Sequence, residues 1–67
     1  MQSVIPKVRD VRVEKGFTQN DLAQKCGMTQ ASICRKEQGK QRLLVSDIYK
    51  LADALGCRPE ELYEVIE

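Results

Sequence analysis

Apolar residues recur along this chain in short runs at spacings of three and four, and a glycine closes most runs. The clearest run is Val45, Ile48, Leu51, Ala52 and Leu55, which predicts an amphipathic helix from about Val45 or Ser46 to Leu55, ended by Gly56. A first helix is expected from about Pro6 to Lys15. Val4, Val8 and Val11 lie roughly along one face, Pro6 suits a first turn where no N–H is needed, and Gly16 is placed to end the helix. A second is expected from about Gln19 to Lys25. Thr18 is its N-cap, Asp21 closes a short-armed capping box, and Leu22, Ala23 and Cys26 form its buried stripe. Thr29 caps a third helix, from about Gln30 to Glu37 or Gln38, with Met28 and Ile33 spaced as a hydrophobic staple and Gly39 as its stop. The buried positions expected in this third helix are few, Ile33 with Ala31 or Ser32 on the near side; the rest is polar, so neighbouring elements must hold it while its outer face points away. A short fifth helix is expected from Pro59 to about Val65, with Glu60 and Glu61 at its positive end and Leu62, Tyr63, Val65 and Ile66 as its apolar residues. The expected fold class is all-α, a compact bundle of five short helices.

The chain of 67 residues makes a single domain, 1–67, with a thin core. With one Phe, two Tyr and no Trp, that core must be aliphatic. No apolar stretch nears the roughly 18 residues of a membrane span, and residues 1–10 carry a proline and three charges where a signal peptide would be apolar. No membrane association and a cytoplasmic location are therefore expected. Cys26, Cys34 and Cys57 have no metal-ligand spacing and there is no His, so neither a metal site nor a cofactor is expected, and the thiols read as free and reduced. The same lack of His, together with the lack of a phosphate-binding glycine loop or a nucleophile paired with a base, argues against an enzyme.

The net charge of +1 hides a polarity. Residues 1–42 carry nine Lys/Arg against four Asp/Glu; residues 43–67 carry two against six. One half can face a polyanion while the other faces away.

The most informative stretch is 18–39. Two short helices meet at a turn centred on Gly27. Ala23 lets the second cross close over the first, and Leu22 and Ile33 supply the contact that fixes the crossing. The expected angle, about 90–120°, projects the second helix outward, and a major groove about 12 Å wide accepts such a helix.

Thr18-Gln19, Leu22-Ala23, Gly27, Thr29, Ile33 and Glu37-x-Gly39, followed by Leu51-Ala52-x-x-Leu55-Gly56, resemble the pattern of the Cro and phage-repressor class of helix-turn-helix regulators, the xenobiotic-response-element (XRE) family. The resemblance covers about residues 4–66. It implies a lambda-repressor-like domain that binds double-stranded DNA and regulates transcription, most readily as a repressor. Gln30, Ala31, Ser32 and Arg35 would then face base edges. A Gln can bond adenine at two points, an Arg guanine likewise, and Ala31 can touch a thymine methyl. Gln19, Lys36, Gln38, Lys40 and Arg42 would contact backbone phosphates, and Arg12 with Glu37 would form an internal ion pair. The plainer readings are solvated surface groups for Gln19, Gln30, Ser32, Lys40 and Arg42, pairing with a helix carboxylate for Arg35, and unpaired, exposed side chains for Arg12 and Glu37.

Two positions depart from the family pattern. Lys36 stands where an apolar residue is usual and must carry its charge out past the core or reach phosphate. Leu43-Leu44 replaces the usual Pro-Ser before the fourth helix, so these leucines either pack under the bundle or lie at a self-association face. Because one such domain covers one half-site, a homodimer on a pseudo-palindrome is expected, with Leu43, Leu44, Tyr63 and Ile66 as candidates for its face and half-sites about 34 Å apart. A protein-interaction module of the same fold, such as an antitoxin or an anti-repressor partner, is the competing reading. Oxidation of Cys34 on the third helix is a further one.

Overall fold

A computed structural model describes residues 3–66. In chain order it has a strand β1 (Ser3–Pro6), helices α1 (Val8–Glu14), α2 (Gln19–Cys26), α3 (Gln30–Glu37) and α4 (Val45–Leu55), a 3-10 turn over Pro59–Leu62, and a strand β2 (Tyr63–Ile66). Among the described residues the fold is mostly helical, with four α-helices and a small antiparallel sheet in place of the expected all-α bundle of five.

The two ends of the chain make that difference. β1 and β2 pair Ser3 with Ile66, Val4 with Val65, Ile5 with Glu64 and Pro6 with Tyr63. Val4, Ile5, Val65 and Ile66 are β-branched and favour a pleated surface over a helix. Pro6 sits at the end of β1, where its missing N–H costs little, so α1 starts at Val8. At the other end Pro59 sits in the first turn as expected, but that turn is 3-10 and stops at Leu62, after which Tyr63 is fully extended (φ −153°, ψ 159°). The amide of Lys7 donates to the carbonyl of Leu62 at 2.7 Å and ties the two ends together as the sheet begins. Val4 and Val45, placed above on the apolar faces of helices, are 52% and 68% exposed: Val4 lies in the strand and Val45 opens α4 toward solvent.

The core is aliphatic: Val8, Leu22, Ala23, Ile33, Leu51, Ala52, Leu55 and Leu62, with Phe17, Met28, Leu43 and Ile48 among the residues packed around it. α2 has a full capping box: Asp21 N–H donates to Thr18 Oγ1 at 3.0 Å and Thr18 N–H donates to the Asp21 carboxylate at 3.1 Å. Gly27 ends α2 with φ +70°, a left-handed conformation costly for a residue with a Cβ. That reversal turns the chain directly into α3, where Thr29 Oγ1 accepts from Ser32 N–H at 3.1 Å. Leu44 has no side chain able to cap α4, and Asp47, three residues on, accepts from Leu44 N–H at 3.0 Å instead.

Among the described residues no helix is long and apolar enough to cross a membrane. Nor does any group of three or more Cys, Asp or Glu there cluster as metal ligands would.

Candidate nucleic-acid interface

α3 is held to the body through Ile33, which is fully buried, while Gln30, Ala31 and Arg35 are exposed and Ser32 is half-buried. These are the groups that can meet base edges. Behind them lies a chain of polar contacts running back to α1. Arg12 Nε donates to Glu37 Oε2 at 2.6 Å, its Nη2 to Glu37 Oε1 at 3.3 Å, and its Nη1 to the Phe17 carbonyl at 2.8 Å. The pair is largely buried, with side-chain exposures of 11% for Arg12 and 3% for Glu37, and the two-point geometry makes it a charge-assisted clamp between α1 and the end of α3.

The same carboxylate orients two glutamines. Gln19 Nε2 donates to Glu37 Oε1 at 3.0 Å, and Gln30 Nε2 donates to Gln19 Oε1 at 3.1 Å. An ionised carboxylate only accepts hydrogen bonds, so Gln19 must turn its NH2 toward Glu37 and its oxygen toward Gln30. Gln30 must then turn its own NH2 toward Gln19. Left free at the tip of Gln30 are one N–H and the carbonyl oxygen, a donor beside an acceptor. Adenine offers the complementary pair, N7 and N6–H, in the major groove.

Arg35 is steadied by Gln41 Oε1, which accepts from its Nε at 3.3 Å, leaving both terminal nitrogens free. Gln38, Lys40 and Arg42 are exposed where the chain leaves α3, and Gln38 Nε2 donates weakly to Cys34 Sγ at 3.5 Å. Lys36 is placed differently from the phosphate contact assigned to it above. It is 5% exposed, and its Nζ lies 3.3 Å from Asp47 Oδ2. Its stem fills the space an apolar residue would occupy, and its charge is matched inside the fold by the carboxylate that also caps α4. Lys36 thus joins the end of α3 to the start of α4, with its charge committed to Asp47 inside the fold.

Of the residues considered for a dimer face, Leu43 is half-buried against the core, Tyr63 is half-buried, and Leu44 and Ile66 are 50% and 45% exposed. Asp47, Gln41 and Arg9 join the site only in the folded chain. Asp47 was detectable as an acidic residue at the third position of a helix with no capping side chain; Gln41 carried no such mark. Arg9 lies one helical turn before Arg12 and lines a cleft with Arg12, Gln19, Glu37 and Gln38. Burial pushes the thiols of Cys26 and Cys57 above their ordinary pKa. Cys34, the cysteine on α3, is half-buried.

Comparison with known proteins places this arrangement in a family. The helix-turn-helix family model matches residues 8–62. A hypothetical transcription factor of Neisseria meningitidis serogroup B is 34% identical over 55 residues, which cover 82% of this chain and 52% of that protein, so the chain spans about half the length of this relative. A helix-turn-helix-type transcriptional regulator of Archaeoglobus fulgidus is 33% identical over 57 residues, covering 85% of this chain and 81% of its own length. Among solved structures, the restriction-modification controller protein C.AhdI of Aeromonas hydrophila superposes with a TM-score of 0.79 at 33% identity, covering 82% of this chain and 83% of that one. With the buried Arg12–Glu37 clamp, the glycine-hinged α2–α3 pair and these matches together, the chain belongs to the XRE-type helix-turn-helix family, a family of DNA-binding transcription regulators.

Proposed function

We propose that this chain binds double-stranded DNA in a sequence-specific way and regulates transcription, with α3 in the major groove. The observation that carries the reading is the fixed polarity of Gln30. Through Gln19, Glu37 and Arg12 its amide is set before any DNA arrives, so little ordering is left to pay at the moment of binding. Arg35 reads guanine from the same face. Gln19, Gln38, Lys40 and Arg42 hold the backbone on either side.

The protein acts by occupancy, without catalysis or a cofactor, as a repressor bound as a homodimer to a pseudo-palindrome. The extents of one copy, 34 × 21 × 19 Å, suit coverage of a single half-site. Half-sites of a dimer lie about 34 Å apart, and one copy with a single recognition helix serves one of them.

Selection of bound sequences from a random duplex pool tests the reading and yields the half-site in the same step. The expected product is an inverted repeat with an adenine and a guanine in each arm. Arg35→Ala is expected to cost about 1–3 kcal/mol at the guanine position alone. A loss spread evenly over all sequences would reassign Arg35 to phosphate, and a pool that returns no enriched sequence would overturn the proposal.

A further inference from the structure

Beside the base-reading face lies a cleft of about 350 Å³ lined by Arg9, Arg12, Gln19, Glu37 and Gln38. We infer that it seats a phosphate of the DNA backbone and that Arg9 supplies its charge. The inference rests on the DNA-binding reading and adds to it a contact on α1, outside the helix-turn-helix itself.

The electrostatic argument is one of subtraction. Two arginines and one glutamate line the cleft. The Arg12 guanidinium is committed to Glu37 by two hydrogen bonds and to the Phe17 carbonyl by a third, so this pair contributes almost no net charge. Arg9 is exposed and has no hydrogen bond or ion pair to any of the described residues. The positive charge of the cleft is therefore that of Arg9. The neutral donors beside it are also partly committed. Gln19 spends one N–H on Glu37, and Gln38 makes one weak contact to Cys34, which leaves each a second N–H. One uncommitted cation sharing a cleft with two amide donors suits a singly charged phosphodiester, and an Arg can meet two of its oxygens at once.

Position favours the same ligand. Gln19 bonds Gln30, the residue proposed to read adenine, so the cleft adjoins the edge of the groove that α3 enters. A phosphate seated there sets the depth and angle of the helix without reading sequence.

The test is the salt dependence of binding to the selected operator and to unrelated duplexes. Each phosphate contact steepens the slope of log K against log salt by about 0.9. Arg9→Ala is expected to make the slope shallower by about that amount and to weaken all sequences to the same degree, while Arg9→Lys keeps the wild-type slope. Arg58→Ala, outside the cleft, is the comparison. An equal change there would show an effect of total charge only and overturn the assignment, as would an Arg9→Ala loss confined to one base pair. A wild-type chain that binds no duplex in dilute salt overturns the DNA-binding reading itself. A wild type that binds, beside an Arg9→Ala variant with an unchanged slope, overturns the Arg9 assignment alone.

Discussion

Asp21 and Asp47 do similar work at the residue scale under different burial. Asp21 is exposed, and the Thr18 backbone N–H, with the Thr18 side chain second, holds its pKa below the usual carboxylate value. The folded value being the depressed one, the stabilisation is complete above the unfolded carboxyl's pKa and is lost as pH falls through the folded pKa. An NMR titration of the side-chain carboxyl should therefore show Asp21 titrating below a free aspartate, and Asp21→Asn should flatten the acid limb of the stability curve. Asp47 is mostly buried, accepts from Leu44 N–H and faces the Lys36 ammonium. Removing it strands a buried cation and uncaps α4 together. Removing an ion partner inside a fold costs about 3–5 kcal/mol. Asp47→Ala is thus expected to lose at least about 3 kcal/mol, which in a domain of this size lowers Tm by more than about 10 °C. Lys36→Met should lose less than Asp47→Ala, because methionine fills the same space and Asp47 keeps its amide donor. Thermal unfolding followed by circular dichroism reads both, and equal losses would refute the asymmetry.

At the scale of elements, the helices were legible in the sequence and the strands were not. α3 runs over the expected residues, and the Thr18 and Thr29 caps act where their spacing placed them. Those signals are local, written within four residues. The sheet is non-local: β1 is a strand only because β2 lies beside it, sixty residues away in register. Taken alone, Pro6 looks like a helix start and Pro59-Glu-Glu-Leu-Tyr like the opening of a helix that continues. Tertiary pairing overrode both. The site divides in the same way. Which residues point outward on α3 follows from periodicity, and the Arg12–Glu37 pairing came from the family pattern. The inward turn of Lys36 depended on a partner eleven residues on, which no local spacing marks. The order of amide donors from Glu37 to Gln30 likewise needs three elements placed in space.

For the whole molecule, the question is what a second copy would cover. Val4, Ile5, Leu44, Val45, Tyr49, Val65 and Ile66 are all exposed, and a second copy is one way to cover them. Under the dimer proposal part of this surface is buried between copies. Leu44→Lys and Ile66→Lys are each surface changes, so neither should unfold the chain. The one that lies in the interface should shift sedimentation to the monomer and lower operator affinity steeply, while half-site binding remains. If both variants sediment as wild type, the dimer face lies elsewhere or does not exist.

The pairing of Ser3 with Ile66 has a topological consequence. Since Ser3 and Ile66 sit side by side, a peptide bridge of only a few residues would close residues 3–66 into a circle without bending any helix. Such a ring leaves the folded form unchanged and removes freedom only from the unfolded one. The circle could then be reopened in the exposed segment around Gln41, which would give a rearranged gene order for the same architecture, with α4 first and α3 last.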